Sequence, residues 1–156
     1  SQQTQSSHST GSGNVPAGVP GALSNQPPGG VTAPFAVVHA FLAAMRARGS
    51  GTIVSIGTVA DRTIYPHNAA YSASKYGARA VHEVLRAETR GTGVRACLIA
   101  PGPVDTPIWN RHEAALGHTL PPRDAMLRVE DVVAAVRYVV AQPPHVNIDE
   151  LRLSFR

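Results

Sequence analysis

The sequence predicts an α/β fold in which a parallel sheet is covered by helices on both faces. Two observations carry this prediction. A short β-branched run at 52–56 and a short apolar run at 94–100 have the length and composition of buried strands. They alternate with helix-length amphipathic segments, as in βαβ units, where a crossover helix must return the chain to a parallel neighbour. With 156 residues, 43% of them hydrophobic and 15% charged, the chain has the size and composition of one globular domain.

Residues 1–30 are almost wholly Ser, Gln, Thr, Gly, Pro and Asn. Such a segment buries too little apolar surface to offset its ordering entropy and predicts a disordered tail, with a domain boundary at Val31. Pro34 suits a first helical turn, and Phe35, Val38, Phe41, Leu42 and Met45 recur at helical spacing up to Gly49-Ser50-Gly51, so a helix is expected over 34–48. The strand at 52–56 follows, and a loop carrying Asp61, Pro66 and Asn68 leads to a long helix over 69–90, closed by Gly91-Thr92-Gly93. The second strand, 94–100, stops at Pro101-Gly102-Pro103 and contains the only cysteine, Cys97, expected as a buried thiol. Residues 104–128 hold Trp109 and no firm period and predict a helix-containing flap. Glu130 and Asp131 complement the N-terminus of a helix over 132–141, which Pro143-Pro144 ends, and 148–153 reads as a closing strand.

A formal charge of +4 and a pI near 9.8 raise nucleic acid or an anionic membrane as partners. Either needs basic residues clustered on one face, whereas the thirteen arginines are scattered among acids; neither partner is expected. The absence of an apolar run of about eighteen residues or of a signal-peptide core leads to the expectation of a soluble cytoplasmic protein. The seven histidines lack metal-ligand spacing, and neither His82-Glu83 nor His112-Glu113 is followed by a second histidine one turn on, so no metal is expected. Against thirteen arginines stands one lysine, Lys75.

Tyr71-Ser72-Ala73-Ser74-Lys75 sets that lysine four residues after a tyrosine near the start of the long helix, a spacing that stacks the two on one face. A cation within about 4 to 6 Å typically lowers an acid's pKa by about 1 to 3, which would let a phenol act as a general acid or base near neutral pH. Spacing alone does not separate this arrangement from a surface pair, but the flanking sequence does.

Gly51-Thr52-Ile53-Val54-Ser55-Ile56-Gly57-Thr58, Ala69-Ala70-Tyr71-Ser72-Ala73-Ser74-Lys75 and Ile99-Ala100-Pro101-Gly102-Pro103-Val104-Asp105-Thr106 resemble, in order and spacing, three motifs of the short-chain dehydrogenase/reductase family. Leu151-Arg152-Leu153 fits its last strand. The resemblance covers 31–156 and implies the C-terminal half of a Rossmann-like, doubly wound parallel sheet. It implies an NAD(P)-dependent oxidoreductase moving hydride between nicotinamide and a carbonyl or alcohol substrate, with NAD and NADP not distinguished. Tyr71 is then the proton donor or acceptor, and Lys75 lowers its pKa and hydrogen-bonds the nicotinamide ribose. Thr58 stands where the family usually has a serine that polarises the substrate carbonyl. Pro101, Gly102, Val104 and Thr106 approach the nicotinamide.

Besides Thr58, two graver departures from the family pattern stand out. Gly30 aligns with an asparagine of the proton relay, and the TGxxxGxG turn that receives the pyrophosphate at a helix N-terminus has no counterpart. Thr10-Gly11-Ser12-Gly13 lacks the strand before it and the helix after it. The domain therefore reads as truncated, with an unpaired apolar edge at 52–56 and weak or no dehydrogenase activity expected in isolation. The resemblance also implies a homo-oligomer through the helices at 34–48 and 70–90. An alternative of a different class is a non-catalytic remnant that associates through those helices. Residues 18–28 resemble a linker of the flagellar MS-ring protein, which implies a junction of ancestries and no flagellar function.

Overall fold

A computed structural model of the chain describes residues 30–63, 69–111 and 121–156. The expected tail, its resemblance at 18–28 and the middle of the expected flap lie outside the described residues. Three helices, α1 (Thr32–Ala47), α2 (Ala69–Thr89) and α3 (Val129–Val140), alternate with three strands, β1 (Gly51–Ile56), β2 (Val94–Pro101) and β3 (Glu150–Leu153). The sheet is parallel throughout in the order β1-β2-β3, with Ile56 opposite Ile99 and Ile99 opposite Leu151.

Because side chains alternate across a strand, β2 feeds two layers. Cys97 and Ile99 face α3, where they form the core with Ala135 and Val139, against Val54, Leu151 and Leu153. Ser55 of β1 and Glu150 of β3 face α2, meeting His82 and Arg79 respectively. α1 lies beside α2 and against β1. Val31, the residue just before α1, comes so close to α2 that a Cβ on Gly77 would stand 2.9 Å from its methyl. Gly93, at φ +78°, brings the start of β2 so near the loop after α1 that a Cβ there would lie 1.9 Å from the Gly49 carbonyl oxygen, a place only glycine fills.

Several elements differ from expectation, α1 already beginning at Thr32 instead of 34. α3 starts at Val129 because Asp131 sits three positions inside the helix and its carboxylate accepts the Arg128 backbone N–H at 2.7 Å, a capping contact. β3 starts at Glu150 because the Asn147 side chain occupies the ladder ahead of it, accepting from the Ala96 N–H at 3.0 Å and donating to its carbonyl at 3.3 Å. In the expected flap, the described parts are 3-10 turns at Pro107–Arg111 and Arg123–Ala125, with a parallel bridge pairing Val104 and Leu127. Among the described residues, no helix is long and apolar enough to cross a membrane, and no three of His, Cys, Asp and Glu meet as a metal would require.

Candidate active site

The carboxyl ends of parallel strands are where α/β sheets receive ligands, since the loops there diverge to neighbouring helices. β1 and β2 end side by side, and Gly57 N–H donates to the Ile99 carbonyl at 2.8 Å. The next residue, Thr58, is extended and opens a 3-10 turn at Val59–Asp61, its hydroxyl oxygen accepting the Ala60 N–H at 3.2 Å. That bond uses a lone pair and leaves the hydroxyl proton to be donated. α2 packs against this turn.

Tyr71 and Lys75 lie in the first two turns of α2, both half-buried. The Lys75 ammonium stands 5.6 Å from the centroid of the Tyr71 ring, within reach of the attraction between a cation and an aromatic face. The pair shares one face of the helix, as the spacing requires.

Beyond β2, Pro101 is buried and closes the strand. Gly102 N–H donates to the Leu153 carbonyl at 2.8 Å, which fastens the loop to β3. Val104 pairs with Leu127, and its carbonyl accepts the Trp109 indole N–H at 2.7 Å, so Trp109 seals this loop. Thr106 is held through its carbonyl, which accepts from Arg123 at 2.8 Å; Arg123 also pairs with Asp105 at 3.0 Å and donates to the Asn110 side chain at 2.5 Å. At Gly30 a Cβ would lie 1.9 Å from the Ser74 hydroxyl oxygen, so an asparagine there requires that hydroxyl to rotate away.

The sequence reading missed the charges beneath this site. Asp61 is 2% exposed and pairs with Arg79 at 3.2 Å. Arg79 follows Lys75 by four residues, a signal legible in the helical spacing, but its partner lies eighteen residues back in sequence. His82 is also 2% exposed, with Nδ1 3.0 Å from the Ser55 hydroxyl. Burial, the largest influence, lowers its pKa below the ordinary 6.5.

A parallel sheet thus carries a hydroxyl, a phenol-ammonium pair and a glycine-bearing loop toward its carboxyl ends, the side on which open α/β folds take up ligands. Residues 30–116 match the sequence profile of the short chain dehydrogenases, and the chain belongs to that family. It is 35% identical over 115 residues to the glycine betaine reductase ATRR of Emericella nidulans, a match covering 72% of this chain and 9% of that protein. Sulfoacetaldehyde reductase of Chromohalobacter salexigens is 33% identical over 127 residues, covering 79% of this chain and 50% of the reductase. The closed form of serine dehydrogenase complexed with NADP+ superposes with a TM-score of 0.67 at 28% identity, covering 80% of this chain and 52% of that one. The chain thus spans half of the sulfoacetaldehyde reductase and a small part of the larger ATRR.

The residues present suit the nicotinamide end of a dinucleotide. Thr58 and Lys75 offer donors to it, while a Cβ on Gly102 would meet the Leu153 carbonyl oxygen at 3.4 Å and the Phe155 ring at 3.8 Å. No glycine-rich turn for the pyrophosphate occurs among the described residues.

Proposed function

We propose that this segment supplies the proton-transfer half of an NAD(P)-dependent oxidoreductase acting on a small carbonyl or alcohol substrate. The observation that carries the reading is the Lys75 ammonium over the Tyr71 ring on one face of α2. When bound, the nicotinamide delivers or accepts the hydride. Tyr71 gives its phenolic proton to the substrate oxygen during reduction and takes it back during oxidation. Lys75 stabilises the phenolate left behind and donates to the nicotinamide ribose. Thr58 donates its free hydroxyl proton to the substrate carbonyl, polarising it. Pro101, Gly102, Val104 and Thr106 shape the loop that meets the nicotinamide. The relatives named as reductases and the NADP+ complex of serine dehydrogenase support this chemistry and leave NAD or NADP open.

The same reading takes residues 1–30 as a tail outside the catalytic domain of 31–156 and places the protein in the cytoplasm, where Cys97 stays a thiol. It also makes the protein a homo-oligomer through α1 and α2. α1 has no buried residue and presents Phe35, Val37 and Phe41 at 54–59% exposure, with Val84 of α2 similarly open, a concentration of apolar surface suited to a second copy.

The test is a chimera in which residues 30–156 replace the corresponding half of serine dehydrogenase, which supplies a dinucleotide-binding half. NADPH-dependent turnover is expected, and Tyr71→Phe should reduce it about a hundred- to ten-thousand-fold. Full activity of the Tyr71→Phe chimera would refute the assignment.

A further inference from the structure

The charges below the site close into a ring. Arg62 hydrogen-bonds both carboxylate oxygens of Glu150 and stands 3.5 Å from Asp61 Oδ1. Arg79 stands 3.2 Å from Asp61 Oδ2 and 3.7 Å from Glu150 Oε2. Two carboxylates and two guanidiniums alternate around one cycle with no net charge. The Asp61 side chain is 3% exposed, and its Oδ1 accepts no hydrogen bond among the described residues. A buried carboxylate is costly to maintain unless it is paired, and Asp61 is the one buried member, with the Arg62, Arg79 and Glu150 side chains 35%, 22% and 19% exposed.

The ring's members come from three elements, and each element carries part of the proposed site. Asp61 and Arg62 end the turn that Thr58 opens, with the Asp61 N–H donating to the Thr58 carbonyl at 3.3 Å. Arg79 lies one helical turn past Lys75 and two past Tyr71 on α2. Glu150 begins β3, whose Leu153 carbonyl holds Gly102. We infer that Asp61, Arg62, Arg79 and Glu150 act as one positioning unit that sets Thr58 against the Tyr71 and Lys75 helix and the loop after β2. This rests on the functional reading above for its catalytic meaning, while the ring itself is tested separately.

The experiment is residue-resolved amide hydrogen exchange on the full chain. In Asp61→Asn the backbone amides of Ala60 and of the substituted residue itself should exchange about tenfold faster or more, while those of Cys97, Leu98 and Ile99 in β2 stay within about twofold of wild type. Glu150→Gln, which opens the ring at its more accessible corner, should give the same local pattern and decides the matter if Asp61→Asn does not fold. Arg79→Lys should restore most of the protection that Arg79→Met loses, and Glu88→Gln, at an exposed position near the end of α2, should leave the turn unchanged. An even loss of protection across β2 in Glu150→Gln, or an unchanged turn, would overturn the proposal. Any NADPH turnover the chain shows should fall in kcat with the cofactor KM held in Asp61→Asn; an unchanged kcat in a chain whose turn has loosened would also overturn it. Failure of the oxidoreductase reading would appear instead in Tyr71→Phe, as undiminished turnover with the turn's exchange intact.

Discussion

His82 is a buried titratable side chain whose surroundings depress its pKa. Burial lowers its pKa, Arg86 and Arg79 push the same way, and Glu83 and Glu150 oppose them. With the folded value depressed, the unfolded chain binds the proton first as pH falls, so stability is intact above the ordinary 6.5 and declines below it. The melting temperature should therefore drop as pH falls below about 6.5, and His82→Gln should flatten that drop; an equal slope in the variant would contradict this. Cys97 is the opposite case: burial, with Asp149 and Glu150 adding, pushes its thiol up to about 11. It should resist a disulfide reagent at neutral pH in the folded chain and react fully in denaturant. The burial of Cys97 was legible from the apolar run that holds it, and the shared face of Tyr71 and Lys75 from their spacing on one helix. Asp61 and His82 were not, because their environments are assembled from partners eighteen and twenty-seven residues away.

The elements were legible wherever local chemistry sets them. β1 and β2 stand where a β-branched run and an apolar run predicted them, and α2 ends just before the glycines that close it. The shorter β3 and earlier α3 depend on single side chains, Asn147 and Asp131, that reach back to backbone groups, contacts that periodicity does not register. The expected flap was unreadable because its described ends are held by side chains and bridges instead of a helical stripe, with Arg123 gathering Asp105, Thr106 and Asn110. Where backbone meets backbone, Gly93 is most constrained. Gly93→Ala adds a Cβ at a positive φ and against the Gly49 carbonyl, and should cost about 2 kcal/mol or more in urea unfolding. A neutral result would mean that the loop after α1 moves aside freely.

Across the whole molecule, apolar surface is left open. β1 pairs only with β2 among the described residues, Ile56 at its end is 52% exposed, and Val133, Tyr138 and Val140 of α3 are exposed as well. An open strand edge beside apolar helices promotes association. Light scattering should show the chain self-associating with rising concentration, and Phe41→Glu should shift it toward smaller species; an unchanged distribution would remove α1 from the interface. Lys75, the sole lysine, also gives the molecule an unusual proteolytic map. An endoprotease specific for lysine has one bond to cut, between Lys75 and Tyr76 in the second turn of α2, and the helix must unwind before a protease can seat it. The rate of that single scission thus becomes a clock for the opening of the helix.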